Sequence, residues 1–174
     1  MFLNWVELNI GAFMIRQFKE ADYLAVQRIY QQGIDTRNAT FQNTVKTWDE
    51  WDSSMLPHCR LVAGEHNDVL GWAALSSVSS RAVYSGVAEV SLYVANEAKG
   101  KGVGQALMSA LIVESEKCNI WMLQSAIFPE NLASLAVHKN NGFRQLGVRE
   151  KLAQMDGVWR DVVFMERRSQ IVGC

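Results

Sequence analysis

The sequence predicts a single domain of the α/β class, in which helices flank a central mixed sheet. Segments with the two-residue periodicity of strands and segments with the 3.6-residue periodicity of helices follow one another along the chain. A glycine-rich loop, "KGKGVG", stands between one such strand and the helix after it. The chain has 174 residues, of which 49% are hydrophobic, and this is the size and composition of one domain with a buried core. Strands that precede, separate and follow helices indicate a mixed sheet.

The first half of the chain predicts three strands and two helices. The alternation in "MIRQF" is typical of a strand, and Asp22 is placed to cap a helix that ends near Gly33. The stretch "DTRNATFQNTVKT" lacks periodicity and predicts a loop, followed by a short helix over residues 47–56. The apolar stripe of that helix consists of Trp48, Trp51 and Met55. Two apolar runs around "EHND" then predict a hairpin.

The second half predicts the strand, loop and helix on which function depends. "AEVSLYVA" predicts a strand, and the glycine-rich loop leads from it into a helix over residues 104–117. "WMLQSAIF" predicts a buried strand, and "NLASLAVHKN" predicts a helix that ends at Asn141 and Gly142. The tail predicts two strands that turn at Asp156 and Gly157.

Composition excludes several classes of function. The net charge of −1 favours neither nucleic acid nor an anionic membrane as a partner, so an anion site has to be local. Cys59, Cys118 and Cys174 are odd in number and form no CxxC pair, which argues against a disulfide framework or a zinc site. His58 and His66 receive no metal role, so no metal is predicted, and the cysteine usage is typical of the cytoplasm.

The first 13 residues differ in character from the rest of the chain. They carry no basic region and are too short to span a bilayer, so neither secretion nor membrane insertion is predicted. "MIRQFKEADYLAV" has the character of a fresh start at Met14. We therefore expect an N-terminal extension over residues 1–13 and one domain over residues 14–174.

The glycine-rich loop predicts a phosphate site. A strand, then glycines, then a helix start gathers unpaired backbone N–H groups and the positive end of the helix dipole at one point. The lysines of the loop, Lys99 and Lys101, add positive charge. No Lys-Ser or Lys-Thr follows the last glycine, and the spacing differs from GxGxxG, which disfavours nucleoside triphosphates and dinucleotides as ligands. A glycine-rich turn with two solvated lysines is the alternative interpretation.

Together with "AEVSLYV" before it and "NLASLAVHKNNGF" after it, this loop resembles the acetyl-CoA-binding core of the GNAT acyltransferase superfamily. "IYQQGIDTRNATF", "SSRAVY" and "GVWRDVVFMER" are similar to the phosphinothricin N-acetyltransferase branch. Lys99 replaces the usual Gln or Arg of the loop pattern. The resemblance implies the GNAT fold, with a twisted mixed sheet splayed at the coenzyme site, acetyl-CoA as cosubstrate and a homodimer. It also implies that Leu92, Tyr93 and Val94 pair with the pantetheine arm, that Lys99, Gly100, Lys101, Gly102, Val103 and Gly104 hold the pyrophosphate, and that Asn131 and Ser134 reach the coenzyme.

The resemblance also implies the catalytic groups. Glu89, at the entry of the central strand, is expected to be the general base. His138 stands where many relatives have a tyrosine proton donor and is the expected donor to the leaving thiolate. A backbone N–H near Tyr93 is the expected oxyanion donor. A surface glutamate, a hydrogen-bonded core histidine, and helix capping by Asn131 and Ser134 are the alternative interpretations.

The expected acceptor is the α-amine of a small amino acid such as phosphinothricin, methionine sulfoximine or methionine sulfone. Its acidic groups need cations, for which Arg81 and Arg37 are the candidates. Further candidates for the substrate pocket are Thr40, Phe41, Tyr84 and Trp72. Trp159, Arg160 and Asp161 are interpreted as structural or as part of a dimer interface. The alternatives are acetylation of polyamines or protein N-termini, and a coenzyme-A-binding sensor without turnover.

Overall fold

In the computed structural model, residues 8–10, 12–65 and 68–174 are described, and they form one sheet with helices packed on it. The described strands are β1 Leu8–Ile10, β2 Phe13–Gln17, β3 Leu61–Glu65, β4 Asp68–Ser77, β5 Val87–Val94, β6 Met122–Ile127, β7 Arg144–Met155 and β8 Val158–Arg168. The described α-helices are α1 Tyr23–Asp35, α2 Trp48–Ser54, α3 Val103–Lys117 and α4 Leu132–Asn140. These elements confirm the predicted α/β class.

The sheet is mixed and splits at its centre. Its strand order is β1-β2-β3-β4-β5-β6-β8-β7, and every neighbouring pair is antiparallel except β5 and β6. The parallel pair is in register at only three positions, and Glu89 opposite Gln124 is the last of them. Both strands continue beyond this point, β5 to Val94 and β6 to Ile127, without pairing with each other. The split leaves one edge of β5 available for another partner.

Helices α1 and α3 cover opposite faces of the sheet. Trp72 of β4 packs edge-on against Tyr30 of α1, with 6.1 Å between the ring centroids. A Cβ atom placed on the neighbouring Gly71 would lie 3.1 Å from side-chain atoms of Leu107 and Val103 in α3. Successive strand residues point to opposite faces, so the two helices lie on different sides. The apolar residues between these layers form the core, with Leu107 and Leu111 of α3 fully buried.

The local sequence explains two of the boundaries. Thr47 caps α2 through a capping box, in which Glu50 N–H donates to Thr47 Oγ1 (3.4 Å) and Thr47 N–H donates to Glu50 Oε2 (2.8 Å). At the turn between β7 and β8, Asp156 and Gly157 both have positive φ, 50° and 78°, as a two-residue type I′ hairpin requires. The predicted helix and hairpin turn are confirmed at both places.

Asp22 precedes α1 as predicted, but its carboxylate does not cap the helix. Both of its oxygens accept from the Arg16 guanidinium at 2.7 Å, and one also accepts from the Lys19 N–H at 2.8 Å. The ion pair with Arg16 competes with capping of α1. The Asp22 side chain therefore joins β2 to the start of α1.

The N-terminal segment contributes to the sheet. Leu8–Ile10 pairs antiparallel with β2, with Ile10 opposite Phe13, and forms an edge strand. Residues 1–7 and 11, and residues 66–67 in the predicted "EHND" turn, lie outside the described residues. The domain boundary at residue 14 and the homodimer stay predictions. Within the described part of the chain, no helix has the length and apolar character needed to cross a membrane.

Candidate active site

A cavity of about 970 Å³ lies at the split between β5 and β6. It extends from the glycine-rich loop, along the free edge of β5, to the start of α4 and the loop after α1. It brings together most of the residues that the sequence predicts for the site. Those on its lining are Thr40, Phe41, Glu89, Leu92, Tyr93, Val94, Lys99, Gly100, Gly102, Val103, Gly104, Asn131, Ser134 and His138.

The glycine-rich loop has the backbone of an anion site. Gly100 and Gly102 have φ of 77° and 81°, in the left-handed region that favours glycine. Gly102 is the N-cap of α3, and its carbonyl accepts the N–H of Ala106 at 3.0 Å. The N–H groups of the next three residues, 103–105, have no partner within the helix, and these residues line the cavity. Lys101 is exposed and is not on the described lining, whereas Gln105, which the sequence analysis did not single out, is.

Glu89 lies at the point where the sheet opens. It is partly buried, and Gln124 Nε2 across the parallel register donates to its Oε2 at 3.1 Å. Among the described residues, no donor contacts the other carboxylate oxygen, Oε1. The carboxylate therefore has one oxygen held and one available at the cavity.

His138 is 4% exposed, and both ring nitrogens have partners. Nδ1 lies 2.8 Å from the Ser134 carbonyl oxygen, which can only accept, so Nδ1 carries the ring proton. Nε2 lies 2.7 Å from Ser125 Oγ. Burial lowers the pKa of His138, and the hydrogen bond to the Ser134 carbonyl opposes part of that shift. The resting ring is therefore neutral at pH 7, and its Nε2 accepts the Ser125 hydroxyl proton.

This arrangement changes the donor that sequence reasoning predicts. A neutral ring with its proton on Nδ1 has no proton at Nε2, and Ser125 stands at that nitrogen. Ser125 is 2% exposed and lies on the cavity lining. Sequence reasoning missed it because one serine in a buried strand carries no distinguishing signal.

The capping interpretation of Asn131 and Ser134 is observed. Asn131 Oδ1 accepts the Ser134 N–H at 3.1 Å at the start of α4, and Asn131 Nδ2 donates to the Asn38 carbonyl at 3.0 Å. Asn131 thus joins α4 to the loop after α1. Because both residues also line the cavity, their predicted contact with the coenzyme stays open beside the cap.

The structure does not bring four predicted substrate residues to this cavity. Trp72 is 2% exposed and stacks on Tyr93, with 4.9 Å between centroids. Arg81 and Tyr84 lie on an exposed turn, where the guanidinium is 5.3 Å from the Tyr84 ring. Arg37 forms an ion pair with Asp156 and lines a separate cavity of about 580 Å³. None of the four is on the described lining of the larger cavity.

Two of the predicted substrate residues do reach the cavity, and both come from the loop after α1. Thr40 and Phe41 both line it, and Phe41 packs edge-on against Phe128 at 4.8 Å. The Arg160 guanidinium lies 4.2 Å from the same Phe128 ring and donates to the Arg37 carbonyl (3.1 Å) and to Glu130 Oε2 (3.0 Å). Arg160 therefore fastens this loop to the β6–α4 connection, which supports the structural interpretation of the Trp159–Asp161 segment.

A different cation faces the cavity. Among the described lining residues, the lysines are Lys46 and Lys99, and no arginine is present. Lys99 belongs to the glycine-rich loop. Lys46 lies in the loop before α2, where its Nζ donates to Ser54 Oγ at 2.9 Å. Sequence reasoning passed over Lys46 because a lone lysine in a nonperiodic loop is ordinary.

The split between two parallel strands, with a glycine-rich helix start beside it, is the arrangement that the resemblance to acetyl-CoA-dependent acyltransferases predicts. Residues 23–143 match the Acetyltransferase (GNAT) family, and the chain belongs to that family.

Relatives over most of the chain agree with this assignment. A phosphinothricin N-acetyltransferase of Alcaligenes faecalis is 31% identical over 93% of this chain and 85% of its own length. An L-methionine sulfoximine/L-methionine sulfone acetyltransferase of Pseudomonas aeruginosa is 26% identical, over 87% and 92% respectively. The crystal structure of a phosphinothricin acetyltransferase from Sinorhizobium meliloti in complex with acetyl-CoA matches with a TM-score of 0.85 at 27% identity, covering 94% of this chain and 91% of that one.

Proposed function

We propose that this enzyme transfers the acetyl group of acetyl-CoA to the α-amine of a small amino acid such as phosphinothricin, methionine sulfoximine or methionine sulfone. The observation that carries the proposal is the cavity at the split. The unpaired N–H groups at the start of α3 lie at one end of it. The Glu89 carboxylate is on β5, the strand whose edge is free. The family, and the substrates that the relatives are named for, support the same reaction class.

Acetyl-CoA fits this arrangement as the acyl donor. The free edge of β5 at Leu92, Tyr93 and Val94 offers N–H and C=O groups to the amides of a pantetheine arm. The N–H groups that begin α3 suit a pyrophosphate, because they combine free donors with the positive end of the helix dipole. The thioester is thereby directed along β5 towards the split.

The chemistry needs a deprotonated amine and a stabilised oxyanion. An α-amine has a reference pKa of about 8, so a carboxylate beside it is sufficient as a general base. Glu89 has that role in our proposal, with its free oxygen taking the amine proton directly or through one water. A backbone N–H near Tyr93 then stabilises the oxyanion, and no covalent intermediate is formed.

Lys46 is our candidate partner for the carboxylate of the acceptor. Replacing Lys46 by Met is expected to raise KM for the amino acid about 10- to 100-fold, since a hydrogen bond to a charged group contributes about 1.5–3 kcal/mol. KM for acetyl-CoA should not change. Lys19→Met is the matched control, because Lys19 is exposed and neither it nor its neighbours along the chain are on the described lining. Equal effects of the two variants on KM for the amino acid would remove Lys46 from the pocket.

The departing thiolate is protonated through Ser125 in our proposal. The resting His138 ring is neutral, so it first takes up one proton from solvent at Nε2. That proton then moves to Ser125 Oγ as the Ser125 hydroxyl proton moves to the sulfur. A thiol, an intact serine and a neutral imidazole result. Because burial lowers the pKa of His138, its imidazolium is a stronger acid than free imidazolium, which favours this direction of transfer.

Ser125→Ala and His138→Phe should each lower kcat about 10- to 100-fold with unchanged KM values. This is at or below the usual contribution of general-acid catalysis, because a thiolate leaves readily. The two residues act as one path, so the double variant should be no slower than the slower single variant. Ser115→Ala removes another buried hydroxyl, bonded to the Ile112 carbonyl away from the cavity, and should keep full kcat. If the kcat loss of the double variant equalled the product of the two single losses, the residues would act independently and the single proton path would be wrong.

The substrate proposal is tested by thiol release from acetyl-CoA across a panel of acceptors. The panel contains phosphinothricin, methionine sulfoximine, methionine sulfone, glutamate, spermidine and a short peptide. We expect turnover with the first three. Turnover with spermidine or peptide alone would replace the amino-acid assignment by a polyamine or N-terminal acetyltransferase. Coenzyme binding without turnover on any acceptor would indicate a sensor.

A further inference from the structure

A second group of chemically reactive side chains lies away from the cavity. One ligand atom from each of His58, Cys59 and Cys118 lies within 4.8 Å of the others. The first two residues precede β3, and Cys118 is the residue after the last turn of α3. Helix α3 has 15 residues, so its C-terminal end is about 22 Å from the glycine-rich loop at about 1.5 Å per residue. None of the three residues is on the described lining of the cavity, so the group is separate from the proposed acetyl-transfer site.

The backbone at Cys59 explains how two consecutive side chains meet at one point. In an extended chain, neighbouring side chains point to opposite sides. Cys59 instead has φ of 58°, a left-handed conformation that residues with a Cβ atom rarely adopt. Such strained positions cluster at ligand sites, where the surroundings hold them in place. Cys59 itself is buried, with 3% exposure, between the exposed His58 and the partly buried Arg60.

The geometry and the donor atoms fit one kind of ion. Zinc binds Cys sulfur at about 2.3 Å and His nitrogen at about 2.0–2.1 Å, so tetrahedral ligands lie about 3.3–3.8 Å from one another. The ligand atoms lie up to 4.8 Å apart, which exceeds that separation by about 1 Å to 1.5 Å. Rotation of the side chains brings the atoms this much closer when the ion binds. Two thiolates, which are soft donors, and an imidazole, which also suits zinc, select Zn²⁺ over the oxygen-binding cations.

We propose that His58, Cys59 and Cys118 bind one zinc ion, with water as the fourth ligand. The exposed imidazole and the partly buried Cys118 leave the entry side open. Both thiols lose their protons to solvent on binding, and the two thiolates balance the charge of the ion. The ion joins the start of β3 to the end of α3, two places that only tertiary packing otherwise connects. Sequence analysis assigned no metal ligand here because His58 and Cys59 lie far from Cys118 along the chain.

The test uses Co²⁺ as a spectroscopic probe on the purified, reduced full-length protein. We expect one equivalent of Co²⁺ to give thiolate charge-transfer absorption in the near ultraviolet and the visible bands of a tetrahedral site, and Zn²⁺ to abolish both by displacement. Binding should raise the Tm. Cys118→Ser and His58→Ala should each weaken Co²⁺ binding at least about tenfold, consistent with the loss of one ligand.

Cys174→Ser is the matched control, because Cys174 is exposed at the C-terminus and is not part of the group. It should bind Co²⁺ as the unmodified protein does. Circular dichroism checks that the variants fold, and the partly exposed Cys118 is replaced in preference to the buried Cys59 for this reason. Absence of the charge-transfer band, undiminished band intensity and Co²⁺ affinity in Cys118→Ser, or a Cys59–Cys118 disulfide that persists under reductant would overturn the proposal.

Discussion

Glu89→Gln is expected to lower kcat by about 10²- to 10⁴-fold, the usual loss when a general base is removed. The amide keeps the size of the carboxylate and still has an oxygen that accepts from Gln124, so packing at the split is preserved. It cannot take a proton from the amine. The Kd of coenzyme A should stay unchanged, because the pyrophosphate and pantetheine sites lie elsewhere on the cavity. Steady-state thiol release and coenzyme titration of the same preparation measure both quantities.

Glu65→Gln is the control for this substitution. Glu65 is a partly buried carboxylate at the end of β3 and is not on the described lining of the cavity. Its replacement should leave kcat within about twofold, as for substitutions away from the reacting groups. If Glu89→Gln also kept full kcat over the pH range in which the amine is protonated, the amine would lose its proton to another acceptor, and our base would be wrong.

Gly102→Val should weaken acetyl-CoA binding at least about 100-fold, the loss of two charge-assisted hydrogen bonds of about 1.5–3 kcal/mol each. A Cβ at this glycine meets no described atom within 4 Å, so the protein itself has room for it. The conflict comes from the φ of 81° and from the phosphate that we place over the N–H groups of α3. The effect should be confined to donors that carry the pyrophosphate. The affinity of Gly102→Val for S-acetylpantetheine, which lacks the pyrophosphate, should fall far less.

Gly157→Val separates the ligand clash from backbone strain. Gly157 has φ of 78° and equally open space around its Cβ position, but it lies in the β7–β8 turn. We expect both valine variants to lose similar stability and only Gly102→Val to lose coenzyme affinity. Equal losses of affinity in the two variants, or equal losses for acetyl-CoA and S-acetylpantetheine in Gly102→Val, would contradict a pyrophosphate at this loop.

Local sequence features predicted most of the fold. The periodicity of the helices, the glycines before α3 and the Asp156–Gly157 turn depend on neighbours along the chain, and these elements are confirmed. Asp22 illustrates the limit of such reasoning, because its capping ability is overridden by Arg16, which reaches it from β2. Only tertiary contacts decide between two partners of that kind.

The same distinction holds for the candidate site: features contiguous in sequence were predicted, and contacts between distant elements were not. The glycine-rich loop and the free edge of β5 are contiguous in sequence, so pattern and resemblance located them. Sequence analysis expected Arg37 and Arg81 to be the cations of the substrate pocket, whereas the structure pairs Arg37 with Asp156 and puts Lys46 on the cavity lining. Ser125 meets His138 because β6 and α4 pack together, a contact that periodicity does not reveal. Side-chain pairs between elements are therefore what the sequence left undetermined.

We propose that acetyl transfer from acetyl-CoA to an α-amine takes place in the cavity at the split. Its most direct test compares thiol release and the mass of the product for methionine sulfone with those for its α-hydroxy analogue. We predict sustained thiol release with the amine, a product that carries one added acetyl group on nitrogen, and no release above hydrolysis with the alcohol. Equal release with both compounds, or thiol release without an N-acetylated product, would contradict the claim.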